Sequence, residues 1–299
     1  MLKIIILGGQ GFLGKNLIEA LYTDNEVIAL DIYECVERRV DGCKYYRYDF
    51  TEIDAWEHLL KNTDILYHLA GSTNPLTSSQ DIPGEIESNI LGTVRMLEAV
   101  VKHGVKKLVF PSSGGTVYGE ALYTPIDEKH PTNPVSSYGA AKLAIEKYIQ
   151  VFNRMHGLDY CILRFANVYG RYQNSETQGA INIFIRKLLS DETIKIWGNG
   201  TAVRDYINVR DAVDALILAG REDHQAKLFN VGSNKGFSVN EIIGEIADCM
   251  NKTARVDYID ARPYDVNSNV LDCSLIKSVY GFDPKVSLRQ GISSILNSM

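Results

Sequence analysis

The chain of 299 residues has no long apolar run, no basic cluster and no pair of closely spaced cysteines. Its longest apolar stretches are far shorter than the ~20 residues that a membrane-spanning helix needs. Lys and Arg number 31 against 37 Asp and Glu, a net charge of −6, which argues against a nucleic-acid-binding surface. The five cysteines include no CxxC pair, so we expect reduced thiols and no metal site.

The remaining composition, with 45% hydrophobic and 23% charged residues, is that of an ordinary globular protein. The length is large for one core, so we expect a large lobe and a smaller one. We place them at residues 1–166 and 167–299, with some segments of the second part returning to the first. Because the chain begins directly with a predicted strand, we expect no signal peptide and a cytoplasmic protein.

A glycine-rich turn follows the first predicted strand. The apolar run Leu2–Leu7 suits a strand buried on both faces, and Lys15–Tyr22 reads as an amphipathic helix. Gly8, Gly11 and Gly14 lie between them. Strand, glycine turn and helix in this order are typical of a dinucleotide site, where backbone N–H groups at the helix start contact a pyrophosphate. The sequence therefore predicts a dinucleotide cofactor here.

An acidic residue ends the second predicted strand. Glu26–Asp31 is apolar in its interior, and Asp31 comes 17 residues after Gly14. A carboxylate at this place accepts hydrogen bonds from the adenosine ribose hydroxyls and repels a 2′-phosphate. We therefore expect NAD to be preferred over NADP.

Tyr138 and Lys142 are four residues apart on a predicted helix, so they share one face. A nearby ammonium favours the phenolate, and we expect Lys142 to lower the tyrosine pKa from its usual value of about 10. The two residues would then form a proton-transfer pair beside the cofactor. The alternative is a surface helix with an ordinary tyrosine and lysine.

Apolar strands alternate with helices along the first half of the chain, which predicts an α/β fold with a doubly wound parallel sheet and ligands at the carboxyl ends of the strands. The two clearest helical segments are Ile86–His103 and Tyr138–His156. The later predicted strands are Tyr45–Phe50, Asp64–Gly71, Lys107–Phe110 and Asp159–Arg164.

Taken together, the motifs resemble the extended short-chain dehydrogenases/reductases, in the branch of nucleotide-sugar 4-epimerases typified by UDP-glucose 4-epimerase. The resemblance covers nearly the whole chain and implies a Rossmann domain with a smaller C-terminal substrate-binding lobe. The motifs that carry it are Gly8–Gly14, Asp31, Asp49-Phe50, His68–Gly71, Ser112–Gly119, Tyr138-x-x-x-Lys142, Arg164–Gly170, Val203–Val209 and Arg262–Asp265.

The resemblance implies that NAD is the cofactor and that a UDP- or dTDP-linked sugar is the substrate. Tyr138 would be the general base, and Lys142 would bind the nicotinamide ribose. Asp49 would accept the adenine amine. The cofactor-binding set implied in this way is Gly8, Gly11, Phe12, Leu13, Gly14, Asp31, Asp49, Phe50, Leu69, Ala70, Gly71, Asn89, Tyr138 and Lys142. The substrate-binding set is Asn167, Arg204, Arg262 and Asp265.

One position departs from the family. A Ser or Thr usually stands five residues before the glycine that closes the Ser112–Gly119 motif, and that count reaches Gly114. Ser113 and Thr116 flank it, and either hydroxyl is a candidate to replace the missing one, with Thr116 slightly preferred. Both are therefore counted as catalytic.

The same motif separates related activities. Dehydratases of this fold carry an Asp-Glu pair after the Ser or Thr, and decarboxylating relatives carry a Glu, but Gly115 and Thr116 stand here. Oxidation and reduction at C4 remain, either as an NAD-dependent 4-epimerase or as an NAD(P)H-dependent reductase of a 4-keto-6-deoxy sugar. A non-catalytic cofactor-binding protein is the third alternative, which an intact Tyr138 and Lys142 oppose.

Members of this family commonly form dimers through two helices of each subunit. The helix after Tyr138 carries apolar residues over more than one face, and the helix from Ile86 has apolar residues left over after packing on the sheet. We therefore expect a homodimer. The residues behind this expectation are Leu143, Ile145, Ile149 and Phe152 on the first helix and Ile86 and Met96 on the second.

Overall fold

The computed structural model describes residues 1–34, 39–71, 78–174, 178–261 and 266–297. In these ranges seven parallel strands form one sheet, in the order β3-β2-β1-β4-β5-β6-β10. The strands are β1 (Lys3–Leu7), β2 (Glu26–Asp31), β3 (Lys44–Arg47), β4 (Ile65–His68), β5 (Lys107–Ser113), β6 (Asp159–Phe165) and, from the second half of the chain, β10 (Leu228–Val231).

The chain reverses its direction across the sheet between β1 and β4. From β1 it moves outward to β2 and β3, and it then crosses back so that β4 pairs with the other side of β1. Leu7, at the carboxyl end of β1, pairs with Leu30 on one side and His68 on the other. A crevice opens at such a reversal in doubly wound sheets. The predicted fold class is confirmed.

Helices cover both faces of this sheet because its strands are apolar on both sides. Within β1, Ile4 and Ile6 point into one core and Ile5 and Leu7 into the other. The first core is covered by α1 (Phe12–Leu21), α7 (Val209–Arg221) and α9 (Ser274–Tyr280). The second is covered by α2 (Ile53–Trp56), α4 (Gly92–Lys102) and α5 (Ser137–His156).

The helical segment before α4 is irregular. It starts with α3 (Ile82–Glu85) and continues as a π-helix over Ile86–Leu91. Single π-helical turns are rare and occur often at functional sites. The sequence predicted one regular helix from Ile86, so this insertion was not foreseen. A short 3₁₀ helix, Glu57–Leu60, follows α2.

The remaining elements form a smaller layer with its own apolar core, which contains Ile181, Ile185, Ile242 and Ile292. Strand β9 lies between β11 and β13 and also pairs with β7, while β8 pairs with β12. Their bounds are β7 (Asn167–Tyr169), β8 (Ile194–Trp197), β9 (Val203–Asn208), β11 (Gly236–Ser238), β12 (Val256–Ile259), β13 (Ser268–Asn269), α6 (Ala180–Leu189), α8 (Val239–Met250) and α10 (Leu288–Leu296).

Part of the expected surplus apolar surface is buried. Met96, Ile145 and Ile149 have at most 3% of their surface exposed and belong to the core between the sheet and α4 and α5. The expectation that Met96 is left over for a partner was wrong, because the core beneath α4 takes a wider stripe of that helix than the sequence count allowed. Ile86 is 49% exposed, as expected.

Candidate active site

The turn between β1 and α1 is built from backbone in close contact. Gly8 has φ +82°, and a Cβ there would lie 2.8 Å from Ala70 N. A Cβ at Gly14 would lie 2.2 Å from Gly8 O. Helix α1 starts after Gly11 without a side-chain cap, so the N–H groups of its first turn are available to a ligand. The result is a side-chain-free cradle of the kind that accepts a pyrophosphate.

Two acidic residues lie at the carboxyl ends of the outer strands, Asp31 as the last residue of β2 and Asp49 just after β3. Asp31 accepts hydrogen bonds from Gln10 N at 2.8 Å and from Tyr33 N at 3.1 Å, so it is fixed against the glycine turn. Asp49 accepts from Thr51 N at 2.9 Å and from its hydroxyl at 2.8 Å. An ionised carboxylate has about four acceptor sites. Both residues therefore keep acceptor capacity for a ligand.

A cleft of about 690 Å³ extends from the glycine turn to β9. Leu69 and Gly71, just after β4, lie on its wall. Asn89, on the π-helix, is buried behind Gly71, with its Oδ1 3.7 Å from the place where a Cβ of Gly71 would lie. Other predicted residues on the wall are Gly8, Gly11, Phe12, Leu13, Gly14, Ser113, Thr116, Tyr138, Lys142, Asn167 and Arg204.

Tyr138 lies in the first turn of α5, which is held by two serines. Ser136 caps the helix by accepting from Gly139 N, and the buried Ser78 accepts from Tyr138 N, both at 3.1 Å. One turn further, Lys142 Nζ donates to Pro111 O at 3.1 Å. The Lys142 ammonium lies 5.7 Å from the centroid of the Tyr138 ring. The predicted pair therefore shares one face of α5, and that face lines the cleft.

The electrostatics of this pair differ from the expectation. Burial raises the pKa of Tyr138 to about 12, and the charge of Glu85 acts in the same direction. Burial lowers the pKa of Lys142 to about 8, against the charges of Glu85 and Glu146. The prediction that Lys142 lowers the tyrosine pKa was wrong, because burial of the phenol and the charge of Glu85 raise it.

The turn after β5 presents two hydroxyls to the cleft. Ser113 and Thr116 lie on its wall, and the buried Thr116 Oγ1 has no hydrogen-bond partner among the described residues. Gly114 faces away from the cleft, since a Cβ there would lie 2.7 Å from Leu271 Cδ1 and 3.1 Å from Arg164 O. A side chain at position 114 would therefore point away from the cleft. The position that the residue count assigns to the missing hydroxyl does not face the site.

Replacing Gly114 with serine is expected to lower the free energy of unfolding by about 1–3 kcal/mol, because the added atoms overpack the contact with Leu271. The turnover rate is not expected to rise. The matched control is Gly115→Ser, whose Cβ would meet nothing closer than Ser113 Oγ at 3.8 Å. Urea unfolding of both variants checks this, and equal stability of the two would contradict it.

A buried ion pair lies behind the catalytic helix. Arg164 Nε donates to Glu146 Oε1 at 3.0 Å, and Nη2 donates to Oε2 at 2.6 Å. Ser112 donates to the same carboxylate, and the Arg164 guanidinium lies 4.8 Å from the centroid of the Tyr118 ring. This network joins α5 to β5 and β6 directly below Lys142. It therefore fixes the position of the helix that carries the pair.

The far end of the cleft carries the predicted substrate residues. Arg204 is half-buried and donates to Val203 O at 2.9 Å and to Val266 O at 2.6 Å. Asn167 is exposed and donates to Asp205 O at 3.0 Å. Arg262 and Asp265 lie outside the described residues. A guanidinium and an amide on one wall suit phosphate oxygens and hydroxyls.

His68, at the end of β4, is not suited to proton transfer. Burial lowers its pKa to about 3, and the Lys142 charge adds to this. Its Nε2 lies 2.9 Å from Thr93 Oγ1, and its ring packs between Phe50 and Phe110. The imidazole is therefore neutral at physiological pH.

Known proteins are similar to this chain over nearly its whole length. A family model described as the NAD dependent epimerase/dehydratase family matches residues 4–232. A putative UDP-glucose 4-epimerase from Methanocaldococcus jannaschii is 34% identical over 99% of this chain and 98% of its own length. The chain belongs to the NAD dependent epimerase/dehydratase family.

Solved structures of this family are close to the present one. The UDP-glucose 4-epimerase of Thermotoga maritima, in a crystal structure with UDP-glucose, has a TM-score of 0.94 and 32% identity, covering 99% of this chain and 98% of its own. The UDP-glucose 4-epimerase of Thermus thermophilus, in complex with NAD, has a TM-score of 0.91 and 30% identity, covering 99% and 98%. The predicted family, enzyme class and cofactor are confirmed.

Three buried residues behind the wall of the cleft were not predicted from the sequence. Ser78 holds the first turn of α5, and Glu85 and Glu146 are buried carboxyl groups near Tyr138 and Lys142. Glu146 had a usable signal, since it continues the four-residue spacing of Tyr138 and Lys142 on the same face. For Ser78 and Glu85 the sequence holds no such signal.

No group of His, Cys, Asp and Glu suited to bind a metal occurs among the residues that the structure describes. Within the same ranges, no helix combines the length and apolar character that crossing a bilayer requires.

Proposed function

We propose that this member of the family interconverts the C4 epimers of a UDP-linked hexose, with UDP-glucose as the substrate. The proposal rests on one observation: a single cleft is lined by Tyr138, Lys142 and Thr116 together with the glycine cradle and Arg204. A proton acceptor, a cofactor cradle and a phosphate-binding group are thus brought together. The UDP-glucose 4-epimerases of similar sequence and structure support the choice of nucleotide and sugar.

The cradle fits the dinucleotide. The glycine turn offers backbone and no side chains, because a Cβ at Gly8 or Gly14 would collide with backbone atoms. Asp31 and Asp49 offer acceptors for the ribose hydroxyls and the adenine amine. Lys142 would donate to the nicotinamide ribose. When bound, NAD supplies the acceptor for the hydride from C4 of the sugar.

Tyr138 moves the proton in this proposal. In its ionised form, its oxygen would take the proton of the 4-hydroxyl while the C4–H bond breaks, and a 4-keto sugar would result. Thr116 Oγ1 donates a hydrogen bond to the same sugar oxygen, with Ser113 as the neighbouring hydroxyl. Once the keto sugar has turned its other face toward the cofactor cradle, Tyr138 would give its proton back to the same oxygen.

The second part of the chain holds the nucleotide diphosphate in this proposal. Residues 167–299 form the substrate lobe, except for segments such as β10 that join the large sheet. Arg204 would bind phosphate oxygens and Asn167 a sugar hydroxyl or phosphate, with Arg262 and Asp265 as further candidates. Trp197 on β8 is 48% exposed and would be a further candidate, for contact with the nucleobase.

The function is tested by incubating the purified protein with UDP-glucose, UDP-N-acetylglucosamine and dTDP-sugars, each with and without added NADH. The expected result is conversion of UDP-glucose to UDP-galactose without added cofactor. Stoichiometric consumption of NADH by a 4-keto sugar, with no epimer formed, would favour the reductase instead.

We also propose that the protein is a homodimer. Exposed apolar side chains lie on the π-helix and on α5, which pack against each other. A two-fold partner would bury them in a contact between identical surfaces. They are Ile86, Leu91, Tyr148, Val151 and Met155, which are 40–67% exposed.

The expected mass in solution at micromolar concentration is twice the 33.4 kDa of one chain. Light scattering coupled to gel filtration measures it. Met155→Glu, which places a charge in the proposed contact, is expected to shift the mass toward one chain, whereas Met250→Glu on α8 is the control outside it. A wild-type mass near 33.4 kDa would contradict the dimer.

The proposed location is the cytoplasm, where thiols stay reduced. In support, the described cysteines Cys43, Cys161, Cys249 and Cys273 are free thiols.

A further inference from the structure

The turn of residues 113–117, which carries the hydroxyls of Ser113 and Thr116, contains two consecutive glycines, Gly114 and Gly115. Glycine has more conformational freedom to lose on folding than any other residue, so this stretch has little intrinsic preference for one shape. Within the turn, Thr116 N and Val117 N donate to Ser113 O at 3.2 and 3.0 Å. The turn therefore depends on its neighbours to keep both hydroxyls in place on the cleft wall.

Gly114 is held at three points by residues from other elements. Its N–H donates to Phe165 O at the end of β6 at 2.8 Å. Its carbonyl oxygen accepts from Asn269 Nδ2 on β13 at 3.0 Å. Leu271 packs against it, since a Cβ at Gly114 would lie 2.7 Å from Leu271 Cδ1. Of these three contacts, the bond from Asn269 is made by a polar side chain, so a substitution can remove it and leave the other two.

Asn269 has no exposed surface, and its bond to Gly114 fixes the direction of its amide. A carbonyl oxygen only accepts hydrogen bonds, so the amide turns its NH₂ group toward Gly114 O. The Oδ1 of Asn269 is then buried with no hydrogen-bond partner among the described residues. An unpaired buried oxygen is costly, and a native protein retains one where the group has a role. The anchoring of the turn is such a role.

Strand β13 also contacts Arg204. Asn269 is the partner of Arg204 in the parallel ladder of β13 and β9. Arg204 donates to Val266 O, just before β13, at 2.6 Å. The segment 266–269 therefore contacts the candidate phosphate-binding residue through its backbone and the turn with the two hydroxyls through one side chain.

We propose that Asn269 is a positioning residue, which holds the turn of residues 113–117 at a fixed distance from Arg204. The inference rests on the proposed function for the roles of Thr116 and Arg204. When a diphosphate is held at Arg204, the length of the substrate sets where its C4 oxygen lies, and the hydroxyl that donates to this oxygen has to be placed to match. Asn269 is fully buried, so it contacts no substrate and acts through Thr116.

The first test is hydrogen–deuterium exchange, followed by mass spectrometry, in the full-length protein without substrate. Asn269→Leu keeps the approximate size of the side chain and cannot donate to Gly114 O. Peptides that span residues 113–117 are expected to exchange about 10-fold faster, the effect of removing one hydrogen bond. The matched control is Asn267→Leu, which removes an exposed amide two residues earlier in the same segment and is expected to leave this exchange unchanged.

A second variant separates the lost bond from a clash. Asn269→Ala removes the amide without adding atoms next to Gly114, and it is expected to accelerate exchange as Asn269→Leu does. Circular dichroism verifies the fold of each variant. Exchange at the wild-type rate in both Asn269 variants, or an equal acceleration in Asn267→Leu, would overturn the inference.

The second test is the steady-state turnover of UDP-glucose. In Asn269→Leu, kcat is expected to fall by about 10-fold to 10²-fold, since a misplacement of about 1 Å can cost ~10²-fold. KM is expected to stay unchanged, because Arg204 is not altered. In a Thr116→Val background, Asn269→Leu should cause little further loss of kcat, because residues that act through one another are not additive. Equal losses in both backgrounds, or a rise in KM with kcat unchanged, would overturn the positioning role.

The exchange experiment requires no turnover, so its outcome is separate from that of the proposed function. A wild-type protein without epimerase activity would remove the proposed function. Unchanged exchange in an active protein would remove only the role of Asn269. The inference predicts faster exchange in the turn and lower kcat in the same Asn269 variants, with neither change in Asn267→Leu.

Discussion

Replacing Tyr138 with phenylalanine is expected to reduce kcat by about 10²–10⁴-fold, the range of general acid–base contributions. The variant removes one oxygen atom and leaves the ring on the cleft wall, so the fold and the bound cofactor should be unchanged. Turnover of UDP-glucose is measured beside the NAD content of the purified protein. The expected result is a loss of turnover in a protein that still contains NAD.

Tyr22→Phe is the control for this experiment. Tyr22 is the residue after α1, is 38% exposed and does not lie on the described cleft wall, so its loss of a hydroxyl should leave kcat unchanged. A Tyr138→Phe variant with more than about a tenth of the wild-type rate would remove Tyr138 from the role of base.

Replacing Arg164 with methionine is expected to lower the free energy of unfolding by about 3–5 kcal/mol. The cause is the desolvated carboxylate of Glu146, which has no exposed surface and loses both guanidinium bonds. Because Glu146 is one turn from Lys142 on α5, we also expect weaker activity in the fraction that remains folded. Chemical denaturation monitored by circular dichroism measures the stability.

The control is the surface pair of Lys102 and Glu57, which are 2.8 Å apart. Lys102→Met should cost no more than about 1 kcal/mol, since exposed ion pairs contribute little. The double variant Glu146→Leu/Arg164→Met removes both buried charges and is expected to regain much of the loss. Equal stability of Arg164→Met and Lys102→Met would contradict the account of the buried pair.

Much of the fold could be predicted because it depends on periodicity and glycine placement. The strands Glu26–Asp31 and Asp159–Arg164 and the helix that ends at His156 were located to within a residue or two. Tyr138 and Lys142 meet at the cleft because their spacing matches the helix period, which does not depend on distant contacts.

Other features depend on contacts that the sequence does not display. A side chain at position 114 would meet Leu271, a residue more than 150 positions away in the sequence. The raised pKa of Tyr138 follows from burial and from Glu85, which comes from another helix. Which apolar residues of α4 and α5 are buried depends on how closely each helix packs against the sheet. None of these follows from local patterns.

The central claim, that C4 is epimerised by transient hydride transfer, is tested most directly with UDP-glucose that carries deuterium at C4. The protein is incubated with this substrate without added cofactor, and the products are examined by mass spectrometry and NMR. The account predicts UDP-galactose that keeps the deuterium at C4, because the hydride leaves and returns within one cleft. UDP-galactose that has lost the label to water, or no epimer at all, would contradict it.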